Sequence, residues 1–143
     1  MIRELREADI DALFAILERA RAESSVPIGP RWTREQFGEE CAALGLVAEI
    51  SGSAAAFVLY RDVGEAFEIS MLATDPRHMR RGAMKSLLLE FFNRRTPPKP
   101  VWLEVHEANL PARSMYEKLG FVAVGKRPRY YSDGGAAILY NYG

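Results

Sequence analysis

The stretch WLEVHEANLPARSMYEKLGF, residues 102–121, predicts a strand that leads through a short break into a helix. The residues up to His106 alternate in polarity, which places Trp102, Glu104 and His106 on one face of the strand. A carboxylate on a central strand must be solvated or paired, because burying it alone is costly. The helix carries a phenol at Tyr116. The junction therefore raises the question of why one small domain brings Glu104 and Tyr116 together.

The predicted helix has recognisable signals at both ends. Asn109 is a candidate N-cap, and Pro111 lies in the first turn, where a missing N–H costs little. Gly120 is suited to end the helix in a left-handed conformation. The residues of one apolar stripe are Ala112, Met115, Tyr116 and Leu119. Tyr116 is therefore expected on the buried side, either as a core tyrosine with a hydrogen-bonded hydroxyl or as a functional group.

The first half of the chain predicts a short strand, two helices and three further strands. Asp9 is a candidate cap of the first helix, and Thr33 with Gln36 forms a capping-box signature that opens the second, through about Leu44. The stretches LGLVAEI, AAAFVLYRD and AFEISMLAT follow, separated by short turns. This spacing predicts an antiparallel meander.

Over the whole chain the order of elements is βααβββαβαββ. It predicts an α/β (α+β) fold with a mixed, mostly antiparallel sheet of about seven strands, flanked by four helices. The parallel pair of strands is expected near the middle of this sheet. Residues 1–143 carry no internal repeat, low-complexity tract or linker, so a single domain is expected.

The loop DPRHMRRGAMKS, residues 75–86, places Arg77, Arg80, Arg81 and Gly82 between a strand and the start of a helix. The N-terminus of a helix attracts phosphate groups, and a glycine permits close approach of the backbone. The loop is therefore either an anion site or a solvated basic turn. It lacks the first glycine and the Gly-Lys-Ser/Thr ending of a nucleotide P-loop, which excludes that motif.

Composition excludes several classes of function. The chain has 143 residues, of which 48% are hydrophobic, and its 19 basic and 19 acidic residues cancel. We therefore expect no direct nucleic-acid binding by bulk charge, and no apolar run approaches the ~20 residues of a membrane span. Cys41 is the one cysteine, so no internal disulfide can form, and with no secretory signal a cytoplasmic location is expected. The oligomeric state stays open between monomer and homodimer.

Metal and serine-hydrolase chemistry have no support in the sequence. His78 and His106 are interpreted as surface or groove residues rather than metal ligands, since no HExxH motif or second cysteine is present. No Gly-x-Ser-x-Gly elbow occurs either. We therefore expect a function that requires no metal.

Three of these stretches together resemble the GNAT superfamily of acyl-CoA-dependent N-acetyltransferases. LATDPRHMRRGAM is similar to the pyrophosphate loop of the family, LEVHEAN and ARSMYEKLGF to its active-site strand and last helix, and RPRYY to its RNYY stretch. The similarity covers most of the chain and is strongest over residues 69–131. Within the superfamily it is greatest to the ribosomal-protein-alanine N-acetyltransferases (RimI type).

The resemblance implies a GNAT fold, acetyl-CoA as co-substrate and a role for particular residues. It implies that Glu104 is the general base and Tyr116 the general acid. The backbone of Leu72, Ala73 and Thr74 would hold the pantetheine arm, on a strand expected to diverge from its neighbour. The residues expected around the pyrophosphate are Arg80, Arg81, Gly82, Ala83, Met84 and Lys85. Asn109 would contact the cofactor.

Two departures from the family pattern leave alternatives open. Met79 replaces a polar residue of the pyrophosphate loop, and Met84 replaces a small one. The side chain of Met84 would either crowd the phosphates or point into the core. Tyr130 and Tyr131 favour a protein N-terminus as the acceptor, because they could line a peptide groove. A small-molecule amine is the alternative acceptor, and a non-catalytic module that binds acyl-CoA or a partner is an alternative from another class.

Overall fold

The computed structural model describes residues 1–42, 44–95 and 98–143. In these residues four α-helices flank one seven-stranded sheet, in the predicted order. The helices are α1 Ile10–Glu23, α2 Arg34–Cys41, α3 Ala83–Arg94 and α4 Leu110–Leu119. The strands are β1 Ile2–Glu4, β2 Leu44–Ile50, β3 Ser53–Asp62, β4 Phe67–Thr74, β5 Val101–His106, β6 Val122–Arg127 and β7 Ala137–Tyr142. Both the α/β fold class and its element order are thus confirmed.

The strands follow the order β1-β2-β3-β4-β5-β7-β6 across the sheet. The pairs from β1 to β4 are antiparallel, which confirms the predicted meander. The parallel pair β4–β5 lies in the middle, as expected. The last two strands continue antiparallel, with β7 placed between β5 and β6.

The central parallel pair is joined only at one end. Among the described residues, β4 and β5 pair at Phe67 with Val101 and at Glu68 with Trp102. A register shift between β3 and β4 leaves Ser70 as an extra residue in β4. Such a bulge bends its strand. The expected divergence of this strand from its neighbour is therefore present, and it begins next to Ser70.

The sheet separates two apolar cores. Helices α1 and α2 cover one face, where Phe37 contacts Phe14 and Phe57 at ring distances of 5.6 and 5.5 Å. The buried residues of this core come from α1, α2 and β2–β4, and none that the structure describes comes from β5–β7. The other core lies under α3 and α4. One face of β5, β7 and β6 is consequently left uncovered by helices.

Local hydrogen bonds explain where the helices begin. Thr33 Oγ1 accepts from the N–H of Gln36 at 3.2 Å, and the Gln36 side chain accepts from the N–H of Thr33 at 2.9 Å, which confirms the capping box. Helix α1 follows Asp9 directly, but the carboxylate of Asp9 makes no cap bond to it. It accepts instead from Arg3 and from the N–H of Arg6. The prediction that the Asp9 side chain caps α1 is therefore wrong. The guanidinium of Arg3 and the N–H of Arg6 occupy the carboxylate oxygens that would have accepted from the helix.

The second helix ends earlier than expected. It stops at Cys41, whereas the sequence predicted helix through about Leu44. Leu44 is already paired with Tyr60 in the sheet, so the strand takes the residue that the helical pattern had included. Ala43 lies outside the described residues.

In the part of the chain that the structure describes, no helix has both the length and the apolar character that a membrane crossing needs.

Candidate active site

A cleft of about 690 Å³ opens where β4 and β5 separate. The diverging halves of both strands line it, residues 69–74 of β4 and 103–106 of β5. The α1–α2 loop, the start of α3 and helix α4 close the other sides. The cleft therefore gives access from solvent to the interior edges of two neighbouring strands.

Residues 72–74 of β4 form one wall of this cleft. On one edge they pair with β3, as Ala73 does with Phe57. On the other edge the ladder to β5 has already ended within the described residues. Backbone N–H and C=O groups without a ladder partner require water or a ligand with complementary groups. An amide-containing chain could therefore extend β4 along this edge.

The loop before α3 is shaped around two positive φ angles. Arg80 has φ 64° and Gly82 has φ 73°, and Gly82 directly precedes α3. The N–H of Ser86 donates to the C=O of Gly82 at 3.0 Å, which is the first bond of the helix. The first-turn N–H groups that lack an intrahelical partner are those of Ala83, Met84 and Lys85. Together with the helix dipole they can bind an anion.

The basic side chains of this loop differ in position. Arg80 is exposed and lines the cleft together with Gly82 and Ala83. Arg81 and Lys85 are exposed and lie outside the lining of the cleft. Arg81 instead borders a separate depression of about 400 Å³. The structure thus brings Arg80 to the cleft. Arg81 and Lys85 can add positive charge near the cleft, but they do not line it.

Met84 points into the protein. Its side chain is 7% exposed and belongs to the core under α3, with Leu87 and Leu88. Most of the side chain is therefore in the core, and Met84 also lines the cleft. Met79, by contrast, is 57% exposed on the loop.

Glu104 lies on the face of β5 that no helix covers. It lines the cleft, and its side chain is 34% exposed. One carboxylate oxygen forms an ion pair with Nε of Arg127 at 3.2 Å. The sequence did not indicate this partner, although Arg127 is the first residue of the RPRYY stretch. Glu104 is thus both solvated and paired, as a carboxylate on a central strand has to be.

Tyr116 approaches the same cleft from the other face of the sheet. It is 3% exposed in the core under α4, where its ring contacts Phe121 at 5.6 Å and Tyr140 at 6.0 Å. Among the described residues its hydroxyl makes no hydrogen bond. Burial raises the pKa of Tyr116 well above its ordinary value, so the phenol stays protonated at neutral pH. Tyr116 lines the cleft, and a hydroxyl there without a partner among the described residues can form a hydrogen bond with a bound ligand.

Comparison with known proteins identifies the family. The acetyltransferase (GNAT) family model matches residues 10–121. The chain belongs to this family. It is therefore an acetyl-CoA-dependent N-acetyltransferase.

Individual GNAT relatives support a RimI-like type. The chain is 27% identical over 135 residues to the ribosomal protein bS18-alanine N-acetyltransferase of Haemophilus ducreyi, covering 92% of this chain and 88% of that protein. A crystal structure of the ribosomal-protein-S18-alanine N-acetyltransferase from Escherichia coli has a TM-score of 0.87 at 28% identity, over 99% of this chain and 92% of that one. A 70-residue segment is also 36% identical to an uncharacterized protein of Mycobacterium leprae, but it spans only 19% of that protein's length. The resemblance to the RimI type found in the sequence is thus confirmed.

Asn109 of this GNAT chain caps α4 and lines the cleft. Its Oδ1 accepts from the N–H of Ala112 at 3.3 Å, which confirms the predicted N-cap. Gly120 at the other end of the helix has φ 108°, which only glycine adopts readily. Both helix signals were therefore correct, and Asn109 stands at the cleft with its amide nitrogen still available as a donor.

Asp75 is a buried residue that the sequence analysis overlooked. Its carboxylate accepts from Nη2 of Arg19 in α1 at 2.8 Å and from Nη2 of Arg77 at 2.9 Å. Hydrogen bonds from Arg77 and then from Arg19 hold the pKa of Asp75 far below its ordinary value, against the effect of burial. The Asp-Pro dipeptide at the start of the loop was a usable signal, because such an aspartate caps a short turn. Asp75 thus connects the anion loop to α1.

Of the two expected places for His106, on the surface or in a groove, the structure shows the groove: the residue is buried and lines the cleft. The ring is 4% exposed, because the β6–β7 loop folds over it. His78 is half-buried and also lines the cleft. Across residues 1–42, 44–95 and 98–143, no group of three or more His, Cys, Asp or Glu side chains could hold a metal ion.

The two tyrosines of the RPRYY stretch differ in exposure, although their rings contact each other edge to face at 5.1 Å. Tyr131 lines the cleft, and its ring lies 4.9 Å from the ring of His106. Burial and, to a lesser degree, the nearby charge of Glu104 raise the pKa of Tyr131 to about 12. Tyr130 is 49% exposed and does not line the cleft; its ring is 6.0 Å from the guanidinium of Arg127. Only Tyr131 is therefore placed to touch a molecule inside the cleft.

Proposed function

We propose that this acetyltransferase transfers the acetyl group of acetyl-CoA to the α-amine of a protein N-terminus, with Glu104 as general base and Tyr116 as general acid. The observation that carries the proposal is the placement of Glu104 and Tyr116 on opposite faces of the sheet, at one cleft. The names of the RimI-like relatives favour a ribosomal protein as the acceptor. With that acceptor, the enzyme acts in the cytoplasm.

The residues around the cleft fit acetyl-CoA. The pyrophosphate would bind to the unpaired N–H groups at the start of α3, with Arg80 beside it. The amide groups of the pantetheine arm would pair with the open edge of residues 72–74, and Asn109 could donate its amide N–H. Backbone N–H groups near Ala73 would stabilise the oxyanion, a contribution commonly worth about 2.7–4 kcal/mol.

An N-terminal α-amine suits an exposed carboxylate such as Glu104 as its base. Its pKa is about 7.7–8.0, so deprotonation at pH 7 costs roughly 1 kcal/mol, against about 4.6 kcal/mol for a lysine. Glu104 is solvated on the open face, and it can take that proton directly or through one water. The neutral nitrogen then attacks the carbonyl carbon of the thioester.

Tyr116 would complete the transfer on the opposite side. As the new C–N bond forms, the C–S bond breaks and its electron pair stays on sulfur. The nitrogen, positively charged once the C–N bond has formed, loses its second proton to solvent. The phenol donates its proton to this thiolate, and the proton on Glu104 returns to Tyr116 through solvent, so that the ammonium and acetyl-CoA give the amide, the CoA thiol and one released proton. The raised pKa of Tyr116 opposes the donation. A thiolate formed in the same desolvated cleft also binds protons more strongly, which offsets this effect.

A comparison of four acceptors, each assayed separately, tests the acceptor class. The purified chain is incubated with acetyl-CoA and one of four acceptors: a peptide with the N-terminus of ribosomal protein bS18, the same peptide with a blocked N-terminus and a free lysine, spermidine, or a free amino acid. Mass spectrometry then locates the acetyl group. We expect modification of the free N-terminus alone. Acetylation of spermidine or the amino acid in preference to the peptide would overturn the proposed acceptor.

A further inference from the structure

The β6–β7 loop is fastened to the end of β5 through a buried histidine. Nε2 of His106 lies 2.9 and 3.0 Å from the two carboxylate oxygens of Asp133. Nδ1 of the same ring accepts the N–H of Ala108 at 3.0 Å. Because Nδ1 accepts, the ring proton lies on Nε2 and is donated to Asp133. The orientation of His106 is thus set from both sides.

The loop itself closes tightly against this ring. The N–H groups of Tyr130 and Tyr131 both donate to the C=O of Gly135 at 3.0 Å, and the N–H of Gly135 donates to Oδ1 of Asp133 at 2.8 Å. A Cβ atom on Gly135 would lie 2.1 Å from Nε2 of His106. The position therefore requires glycine, because the backbone of the loop is packed directly on the imidazole.

The contacts of the β6–β7 loop with His106 fix the position of Tyr131, which forms one wall of the cleft. The ring of Tyr131 lies 4.9 Å from that of His106 at an interplanar angle of 31°. Tyr131 and Glu104 both line this cleft. In the described part of the chain, the hydrogen bonds of residues 130–135 go to β5 and to the loop itself, not to β4 or α3. The loop can therefore affect the acceptor side without disturbing the cofactor side.

We propose that His106, Asp133 and Gly135 are positioning residues, which hold Tyr131 beside Glu104 and so set the affinity for the acceptor amine. The proposal rests on the proposed function, because it assigns this side of the cleft to the acceptor. His106 acts through Tyr131 and takes no part in proton transfer. Both ring nitrogens are already engaged, one by Ala108 and one by Asp133.

Steady-state kinetics of paired variants test the assignment. His106→Ala and Asp133→Ala should each raise the KM of the acceptor peptide about tenfold, the size expected for loss of a hydrogen bond to a charged group. The kcat at saturating peptide and the Kd of acetyl-CoA, measured by calorimetry, should stay within about twofold. His106→Gln and Asp133→Asn keep a donor and an acceptor at the same places, and they should recover most of the loss. Gly135→Ala should behave like His106→Ala.

The control is Asp11→Ala, which removes the carboxylate of an exposed ion pair with Arg34. It should change neither KM nor kcat. If kcat, the affinity for acetyl-CoA and the affinity for the acceptor all fell by the same factor in the alanine variants, the role would be merely structural. That result would overturn the proposal. So would an unchanged acceptor KM.

A second readout separates this proposal from the proposed function. Hydrogen exchange of the Tyr130, Tyr131 and Gly135 amides should be slow in the wild type, fast in Asp133→Ala and slow again in Asp133→Asn. If the wild type accepts a small amine instead of the peptide, the KM of that amine is measured in the same variants. If it accepts no amine, the proposed function fails, and unchanged exchange in Asp133→Ala would then overturn the positioning role as well.

Discussion

Glu104 and Tyr116 reach one cleft from opposite faces of the same sheet. Glu104 lies on the uncovered face with Arg127, whereas Tyr116 is buried in the core between the sheet and α4. Two groups on opposite faces can meet one ligand only where the sheet is interrupted. The separation of β4 from β5 beyond Glu68 provides that interruption. The proposed base and the proposed acid can thus reach the amine nitrogen and the thioester sulfur from opposite sides without neutralising each other.

Removal of the Tyr116 hydroxyl should separate activity from stability. Tyr116→Phe should lower kcat about 10²-fold or more, because a general acid is lost. The free energy of unfolding should change by less than about 0.5 kcal/mol, since the hydroxyl has no hydrogen-bond partner among the described residues. Single-turnover kinetics and urea denaturation measure the two quantities. Wild-type turnover in this variant would exclude the role as acid.

Tyr140→Phe is the matched control for this tyrosine. Tyr140 is fully buried in the same core, but its hydroxyl accepts from Nε of Arg113 at 3.0 Å and donates to Glu117 at 2.6 Å. Its removal should therefore cost about 1–2 kcal/mol of stability. Because Tyr140 does not line the cleft, kcat should be unchanged. The two variants are expected to show opposite patterns.

Replacement of Glu104 should make the rate depend on the amine's own ionisation. Glu104→Gln should lower kcat/KM about 10²-fold at pH 7. Activity should partly recover up to about pH 8, because the unprotonated fraction of an α-amine rises tenfold per unit below its pKa of about 7.7–8.0. A pH–rate profile of both proteins measures this. A deficit that is constant from pH 6 to 9 would contradict the role as base.

Glu68→Gln provides the control for the loss of a carboxylate on this face. Glu68 is paired with Trp102 at the joined end of β4 and β5, and it forms an exposed ion pair with Arg61 at 3.2 Å. It does not line the cleft. The pH–rate profile of Glu68→Gln should therefore coincide with that of the wild type.

The parts of the site that could be predicted from sequence depend on short-range bonds and alternation. The caps at Thr33 and Asn109 join residues three positions apart, and both are confirmed. Alternation in β5 correctly placed Glu104 and Trp102 on a different face from Leu103. The element order followed because each turn signal lies between clearly periodic segments. These features can be predicted without knowing which other segments of the chain pack against them.

The parts that could not be predicted are contacts between segments distant in the chain. His106 and Asp133 are 27 residues apart, and their bond depends on how the β6–β7 loop folds over β5. Alternation assigned His106 to the polar face but could not distinguish an exposed position from a buried one in a groove. The ion pair of Glu104 with Arg127 likewise depends on the register of β7 between β5 and β6. The direction of the Met84 side chain needed the packing of α3 against the sheet.

Asp75 should make stability depend on pH in the acidic range. Its pKa is lowered in the folded state, so the unfolded chain binds more protons as pH falls. The stabilisation is therefore fully present above the ordinary aspartate pKa of about 3.9 and is lost progressively below it. Asp75→Asn should lose about 1–3 kcal/mol at pH 7, a modest amount because Arg19 and Arg77 are partly exposed. Urea denaturation from pH 7 to 2.5 should show the two proteins converging. A constant difference over that range would contradict this account.

The Met84 side chain should support the core and leave cofactor affinity unaffected. Met84→Ala should lower the free energy of unfolding by about 2–5 kcal/mol, because it removes a 93%-buried side chain packed with Leu87 and Leu88. The Kd of acetyl-CoA should stay within about twofold, since the helix N–H groups, not the side chain, would face the phosphates. Met79→Ala is the control: Met79 is 57% exposed, so its replacement should cost less than about 0.5 kcal/mol. Tighter binding of acetyl-CoA by about tenfold in Met84→Ala, measured by calorimetry, would mean that the methionine crowds the phosphates after all.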